Sequence, residues 1–165
     1  MPRGALSGTR VARTDCMAAI QHILVASDFG SSSARAVHLA AELATRFTAR
    51  LTVLHVVPNP LPVYSVDSPM VGELGTRASR ERAAKHELDA FLLSLADRAP
   101  LCEGVIRFGE AAHEIVAHAE ETSCSLIVVG THGRRKLARL LLGSVAELVV
   151  RSSPVPVLTV RESSR

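Results

Sequence analysis

The chain has 165 residues, 47% of them hydrophobic and 21% charged, with a formal net charge of +3. That length is enough to bury a substantial core in one domain, and the composition excludes a disordered chain. With 3% aromatics, no tryptophan and so small a net charge, it also argues against a nucleic-acid partner, which needs a concentrated basic face or stacking platforms.

The first stretch, MPRGALSGTRVARTDC, is basic and has no apolar segment of the kind a secretory signal requires. Residues 1–19 are expected to form a flexible basic tail, and residues 20–162 a single domain. Met17 lies just before the first core segment and is a candidate alternative start of translation. No apolar run approaches the roughly 20 residues of a membrane span, so no membrane association is expected. Cys16, Cys102 and Cys124 are odd in number and include no close pair. They read as reduced thiols in a cytoplasmic protein.

HILVASD, residues 22–28, is a branched apolar run of strand length. From Ser31 to Phe47 the period changes, with Ala34, Val37, Ala40, Ala41 and Ala44 at helical spacing and Ser31–Ser33 as N-cap candidates. RLTVLHVV, 50–57, is a second strand. Residues 58–72 carry four prolines and no period, the mark of a long connection. A helix is expected over 76–98, its stripe formed by Ala84, Leu88, Phe91, Leu92 and Leu95. CEGVIRF, interrupted by Gly104, is a weaker third strand. A helix over 110–121, a strand at SLIVVG, a helix over about 144–151 and a strand at VPVLTV complete the chain. The alternation, with strands apolar on successive residues, predicts an α/β fold. Its core is a doubly wound, Rossmann-like five-stranded parallel sheet with helices on both faces. A ligand is expected at the carboxyl ends of the strands, where their order reverses.

The stretch GTHGRRKLARLLLGS, 130–144, leaves the fourth strand at that edge. Gly130 allows close backbone approach or a positive φ, and Gly133 a second tight turn whose amides can form an anion nest. Gly143-Ser144 then opens a helix whose free amides and dipole favour phosphate. Arg134, Arg135 and Lys136 add charge nearby. Glycine after a strand is also ordinary turn chemistry, and Gly-Ser an ordinary cap, so spacing alone leaves both readings open.

Gly130-x-x-Gly133, nine residues, then Gly143-Ser144 matches the G-x2-G-x9-G-[ST] pattern of the nucleotide-binding branch of the universal stress protein family. HILVASDFGSSS, LTVLHVV and LLGSVAELVVRSSPVPVLTV resemble that family's first strand and turn, second strand, and closing helix and strand. The resemblance covers about residues 20–161. Ala26 departs from it where some members carry proline, and FGEAAHEIV lacks a proline often found before the third helix.

The resemblance implies ATP as ligand, with Mg2+ as an accompanying ion. Asp28 is similar to the family's acidic residue that contacts the ribose or a metal-bound water; the bland alternative is a cap on the first helix. Ala26 and Val56 are similar to walls of the adenine and ribose pocket, although Val56 also suits the core. Val129, Gly130, Thr131, His132, Gly133, Arg134, Arg135 and Lys136 resemble the loop around ribose and phosphates. Gly143, Ser144, Val145 and Ala146 resemble the phosphate-binding helix start.

Other features point elsewhere only weakly. In HEIVAH, His113 and His118 lie five apart, whereas zinc-binding helices place two histidines four apart. His132 reads first as a solvated loop residue, and Cys102 and Cys124 as small core hydrophobes. Gly-x-x-Gly followed by basic residues also occurs in the KH nucleic-acid module, but there it joins two helices rather than following a strand. No Walker A pattern is present and no catalytic base, lysine or metal pair stands out, so no catalytic residue is assigned. The expectation is an ATP-binding, cytoplasmic stress-response sensor or regulator, homodimeric through the last strand, where Pro154 and Pro156 suit an edge. The alternatives are a slow ATPase or adenylyl-transfer enzyme, or a dimerisation module that binds no nucleotide.

Overall fold

The computed structural model describes residues 20–59, 76–97, 101–131 and 142–161. The basic tail, most of the proline-rich connection and residues 132–141 lie outside the described residues.

In chain order the elements are β1 His22–Ala26, α1 Ser31–Phe47, β2 Arg50–Val57, α2 Arg77–Leu93 and β3 Cys102–Phe108, followed by α3 Ala111–Glu121, β4 Leu126–Gly130, α4 Ser144–Ser152 and β5 Val157–Val160. The strands form one sheet in the order β3-β2-β1-β4-β5, with every pairing parallel. The expected α/β fold is the one observed.

Successive strand residues point to opposite faces, and the core divides accordingly. Ile23, Val25, Leu51, Val53 and Val128 pack with Ala36, Val37, Ala40 and Ala41 of α1 and Leu88 of α2. Leu24, Leu54, Ile127 and Val129 pack with Ala112 and Ile115 of α3 and Ala146 and Val149 of α4. The small residues of α1 let it lie close to the sheet; Ala36, rather than the half-buried Ala34, completes its buried stripe.

Two expectations shift. Ser31–Ser33 are not N-caps: Gly30 holds that position, and the serines form the helix's first turn. The last strand begins at Val157, so both prolines precede it, although β5 does lie at a sheet edge. Gly104 interrupts nothing in the pairing of β3. A Cβ there would stand 2.6 Å from Leu92 Cδ1 and 2.8 Å from Leu88 Cδ2, so glycine lets α2 settle onto the strand.

Candidate functional site

Strand order reverses between β1 and β4: the chain runs outward from β1 through β2 to β3, then returns to the other side for β4 and β5. The carboxyl ends of β1 and β4 therefore border the crevice in which such sheets bind ligands.

Beyond β1, the Ser27 amide donates to Leu54 O at 2.9 Å, carrying the pairing one residue further. Asp28 then braces the turn. Its Oδ1 accepts from the Gly30 amide at 3.0 Å and from the Ser33 hydroxyl at 2.6 Å. Asp28 thus organises the approach to α1, whose N-cap position is held by Gly30. Phe29 follows at φ 60, a left-handed conformation that costs a bulky residue roughly 1–3 kcal/mol. Packing offsets that strain: the Phe29 ring lies 4.4 Å from the His55 ring and 6.0 Å, edge-on, from Phe91. His55 is itself fixed, its Nδ1–H donating to the Ser27 carbonyl at 2.8 Å.

At the end of β4, Gly130 has no positive φ. Its lack of a side chain serves packing instead. A Cβ would stand 2.9 Å from Ser32 Oγ and 3.1 Å from the Ser32 carbonyl carbon and oxygen, so glycine lets the first turn of α1 rest on β4. Ser32 is buried and its hydroxyl finds no hydrogen-bond partner. Thr131, also buried, is held on both sides: its amide donates to Val160 O at 2.9 Å, and its carbonyl accepts from the Gly143 amide at 2.6 Å. That second bond joins the strand-end glycine region to the helix-start glycine across the intervening chain.

Gly143 is the N-cap of α4, with φ −70 and ψ 153, angles that any residue adopts, and with no side-chain cap bond. The contrast with the other helices is physical. Thr76 caps α2 by accepting from the Ser79 amide, and Glu110 caps α3 by accepting from the Ala112 and His113 amides. The two helices that open at the switch crevice, α1 and α4, have glycine at the cap and no such bond. At α4, first-turn amides with no side-chain cap, at the positive end of the helix dipole, suit an anion.

The sequence-derived residues divide by position. Asp28, Gly130, Thr131, Gly143 and Ser144 converge on the two strand ends and the start of α4, with Ser144 and Val145 exposed. Ala26 and Val56 are half-buried against the α3/α4 core cluster. Val129 and Ala146 are buried in that same cluster, so only their backbones can face a ligand. His132, Gly133, Arg134, Arg135 and Lys136 lie outside the described residues. Phe29 and His55 escaped the sequence reading, and Ser33 figured there only as an N-cap candidate. An aromatic lodged between Asp28 and Gly30 in an otherwise polar turn was the available signal.

His113 is exposed and His118 buried, on different faces of α3. Among the described residues no group of three or more His, Cys, Asp or Glu is placed to hold a metal ion. None of the described helices is long and apolar enough to cross a membrane. Burial pushes the Cys102 thiol up to about 11 and raises that of Cys124 as well, which keeps both protonated.

Residues 19–161 match the family model described as the Universal stress protein family. The chain is 34% identical over 146 residues to Universal stress protein YxiE of Bacillus subtilis, covering 84% of this chain and 97% of the relative. It also superposes on the universal stress protein UspA from Lactobacillus plantarum with a TM-score of 0.71 and 27% identity, over 87% of this chain and 99% of that one. A universal stress protein crystallised in complex with cAMP matches at a TM-score of 0.62 and 28% identity, over 88% of this chain and 99% of that one.

Proposed function

The chain belongs to the universal stress protein family, and on that footing we propose that it binds an adenine nucleotide, ATP, at the β1–β4 switch crevice and acts as a small cytoplasmic sensor or regulator of stress. The observation that carries this reading is the hydrogen bond from the Gly143 amide to the Thr131 carbonyl. It draws the two halves of the glycine motif together, so one polyphosphate can meet both the end of β4 and the uncapped start of α4. The cAMP complex of a relative adds support for an adenine nucleotide as the ligand class.

In this reading Ala26 and Val56 flank the base, and Asp28 meets a ribose hydroxyl or a water on Mg2+. Gly130, Thr131 and the loop residues His132 to Lys136 follow the ribose and phosphates, while Gly143 brings the helix start close to them and Ser144, Val145 and Ala146 present its amides and the Ser144 hydroxyl. Asp28 suits this role because its carboxylate is held in place by Gly30 and Ser33. We assign no catalytic residue: Asp28 and His55 are both bonded to neighbouring protein groups. The nucleotide domain spans residues 20–162 behind a tail of residues 1–19. Two copies pair through β5, whose outer edge is available at the end of the sheet.

The test is to denature freshly purified protein, identify any released nucleotide by chromatography, and measure ATP binding by calorimetry for wild type and Gly143→Val. Valine places two methyl groups where a phosphate oxygen belongs. The backbone angles at 143 suit any residue, so the fold is retained. Losing two charged hydrogen bonds of roughly 1.5–3 kcal/mol each weakens binding at least about a hundredfold. Wild-type affinity in a folded Gly143→Val protein overturns the reading. Release of ADP alone directs it toward hydrolysis, and failure to bind any adenine nucleotide toward a dimerisation module.

A further inference from the structure

The opposite, amino-terminal edge of the sheet carries a polar layer beneath α3 that the nucleotide reading does not use. His22 opens β1 and Arg50 opens β2, paired in register; one step further in, Thr52 of β2 pairs with Glu103 of β3. All four lie on the face covered by α3. His22 and Thr52 are buried. The Thr52 hydroxyl donates to Glu103 Oε1 at 2.8 Å, so it must accept from His22 Nε2, also at 2.8 Å. That fixes the proton of His22 on Nε2 and leaves Nδ1 as a lone pair, which accepts from the Arg50 guanidinium at 3.1 Å. The result is a one-way chain from Arg50 through His22 and Thr52 to Glu103.

His118 repeats the arrangement from the helix side. It is buried on α3, and its Nδ1 accepts from the Arg107 guanidinium at 3.4 Å. Its proton is therefore on Nε2, which has no hydrogen-bond partner. Arg107 is itself anchored to Glu114 at 2.7 Å and Glu121 at 2.6 Å, both on α3. Each histidine thus turns its only vacant proton site toward an arginine. A second proton on either ring would break a hydrogen bond and set cation against cation in a buried layer.

We propose that His22 and His118 form a proton-operated latch, which seats α3 on the sheet at neutral pH and loosens it in mild acid. Among the described residues, charged groups face the two histidines from β2, β3 and α3. His22 faces Arg50 of β2, Glu103 of β3, His118 of α3 and the Thr122 carbonyl; burial first, then Arg50, holds its imidazole below the ordinary value of 6.5. His118 faces Arg107 and Glu103 of β3 and Glu121 of α3; burial first, then Arg107, holds it below 6.5 as well. The Thr122 carbonyl and Glu103 pull the other way at His22, as Glu121 and Glu103 do at His118, and they are outweighed. Lowered folded-state values mean that the opened form binds more protons. The latch is fully closed above 6.5 and weakens as pH falls below it. One unit below the ordinary value, an opened histidine is about tenfold more protonated than not, so each one favours opening by up to about tenfold.

The experiment pairs ring titrations by NMR with hydrogen–deuterium exchange at pH 7.5 and 5.5, corrected for intrinsic rates, comparing peptides over 111–121 with peptides over α1. In wild type, the α3 peptides gain about tenfold to a hundredfold in relative exchange on acidification, and both buried rings titrate below 6.5. Replacing both residues (His22→Gln with His118→Gln) abolishes that acid response, whereas His113→Gln, an exposed change on the same helix, retains it. A ring that titrates at or above 6.5, or an α3 exchange ratio indifferent to pH, overturns the latch. If the double variant fails to fold, the wild-type titrations decide.

Discussion

Replacing Gly130 with alanine sets a methyl group against the first turn of α1. Its Cβ would lie 2.9 Å from Ser32 Oγ and 3.1 Å from the carbonyl carbon and oxygen of the same residue. The hydroxyl can rotate away, but the backbone cannot, because Asp28 and Ser33 brace the turn just before it. Relief requires α1 to give by a few tenths of an ångström. Ala36, Val37, Ala40 and Ala41 on the sheet-facing side of that helix are all fully buried, so lifting it loosens the core. Overpacking of this kind costs about 1–3 kcal/mol, or roughly 3–10 °C in Tm for a chain of this size. Ser32→Ala acts in the opposite direction. Its hydroxyl is buried without a partner, and removing it raises stability by about 1 kcal/mol. Combined, the two changes show favourable coupling of about 0.5–1 kcal/mol, since the closest contact is gone while the two backbone contacts persist. Urea denaturation of the four proteins, followed by circular dichroism, completes the cycle. A Gly130→Ala protein as stable as wild type, or a Ser32→Ala protein less stable by more than about 1 kcal/mol, refutes this account of the β4–α1 junction.

Asp28→Ala removes the acceptor shared by the Gly30 amide and the Ser33 hydroxyl, and is expected to lower both stability and ATP affinity, each by about 1–3 kcal/mol. Calorimetry with thermal melts separates the two, and unchanged affinity would confine Asp28 to the turn. Gly104→Ala meets the Leu88 and Leu92 side chains of α2 and costs about 1–3 kcal/mol in melts, while ATP affinity measured by calorimetry stays at the wild-type value because β3 is the far edge strand. Cys102 and Cys124, held protonated by burial, are expected to label slowly with a thiol reagent at pH 7. Rapid modification of either, mapped by mass spectrometry, would show that the strand and loop around it open readily.

The fold was legible because its signal is local. The limits of α1 follow from the switch of period after Asp28, and β3 from its apolar run despite Gly104. The glycine motif likewise named both ends of the candidate site before their spatial connection was known. What the sequence hid depends on register. His55 reaches Ser27 only because β1 and β2 pair in parallel with Ala26 opposite Leu54. The chain from Arg50 to Glu103 needs three strands aligned at once. The serines after Gly30 misled for a related reason. Ser33 has a better partner in Asp28, and Ser32 is turned into the sheet, so neither is left for the cap.

The position of β1 also governs the order in which the protein can be completed during synthesis. Its partner on one side, β2, follows after a single helix, but its other partner is β4, with Ile23 opposite Leu126. At ribosomal rates of about 5–20 residues per second, roughly 5–20 s pass between the emergence of those two strands. Throughout that interval one edge of a largely apolar strand stands open, the condition under which nascent chains recruit one another. The β1–β4 crevice is built from that same late seam. A growing chain therefore completes this crevice only when its most aggregation-prone edge is sealed, and under the proposed nucleotide reading ligand capture would report that the seam has closed.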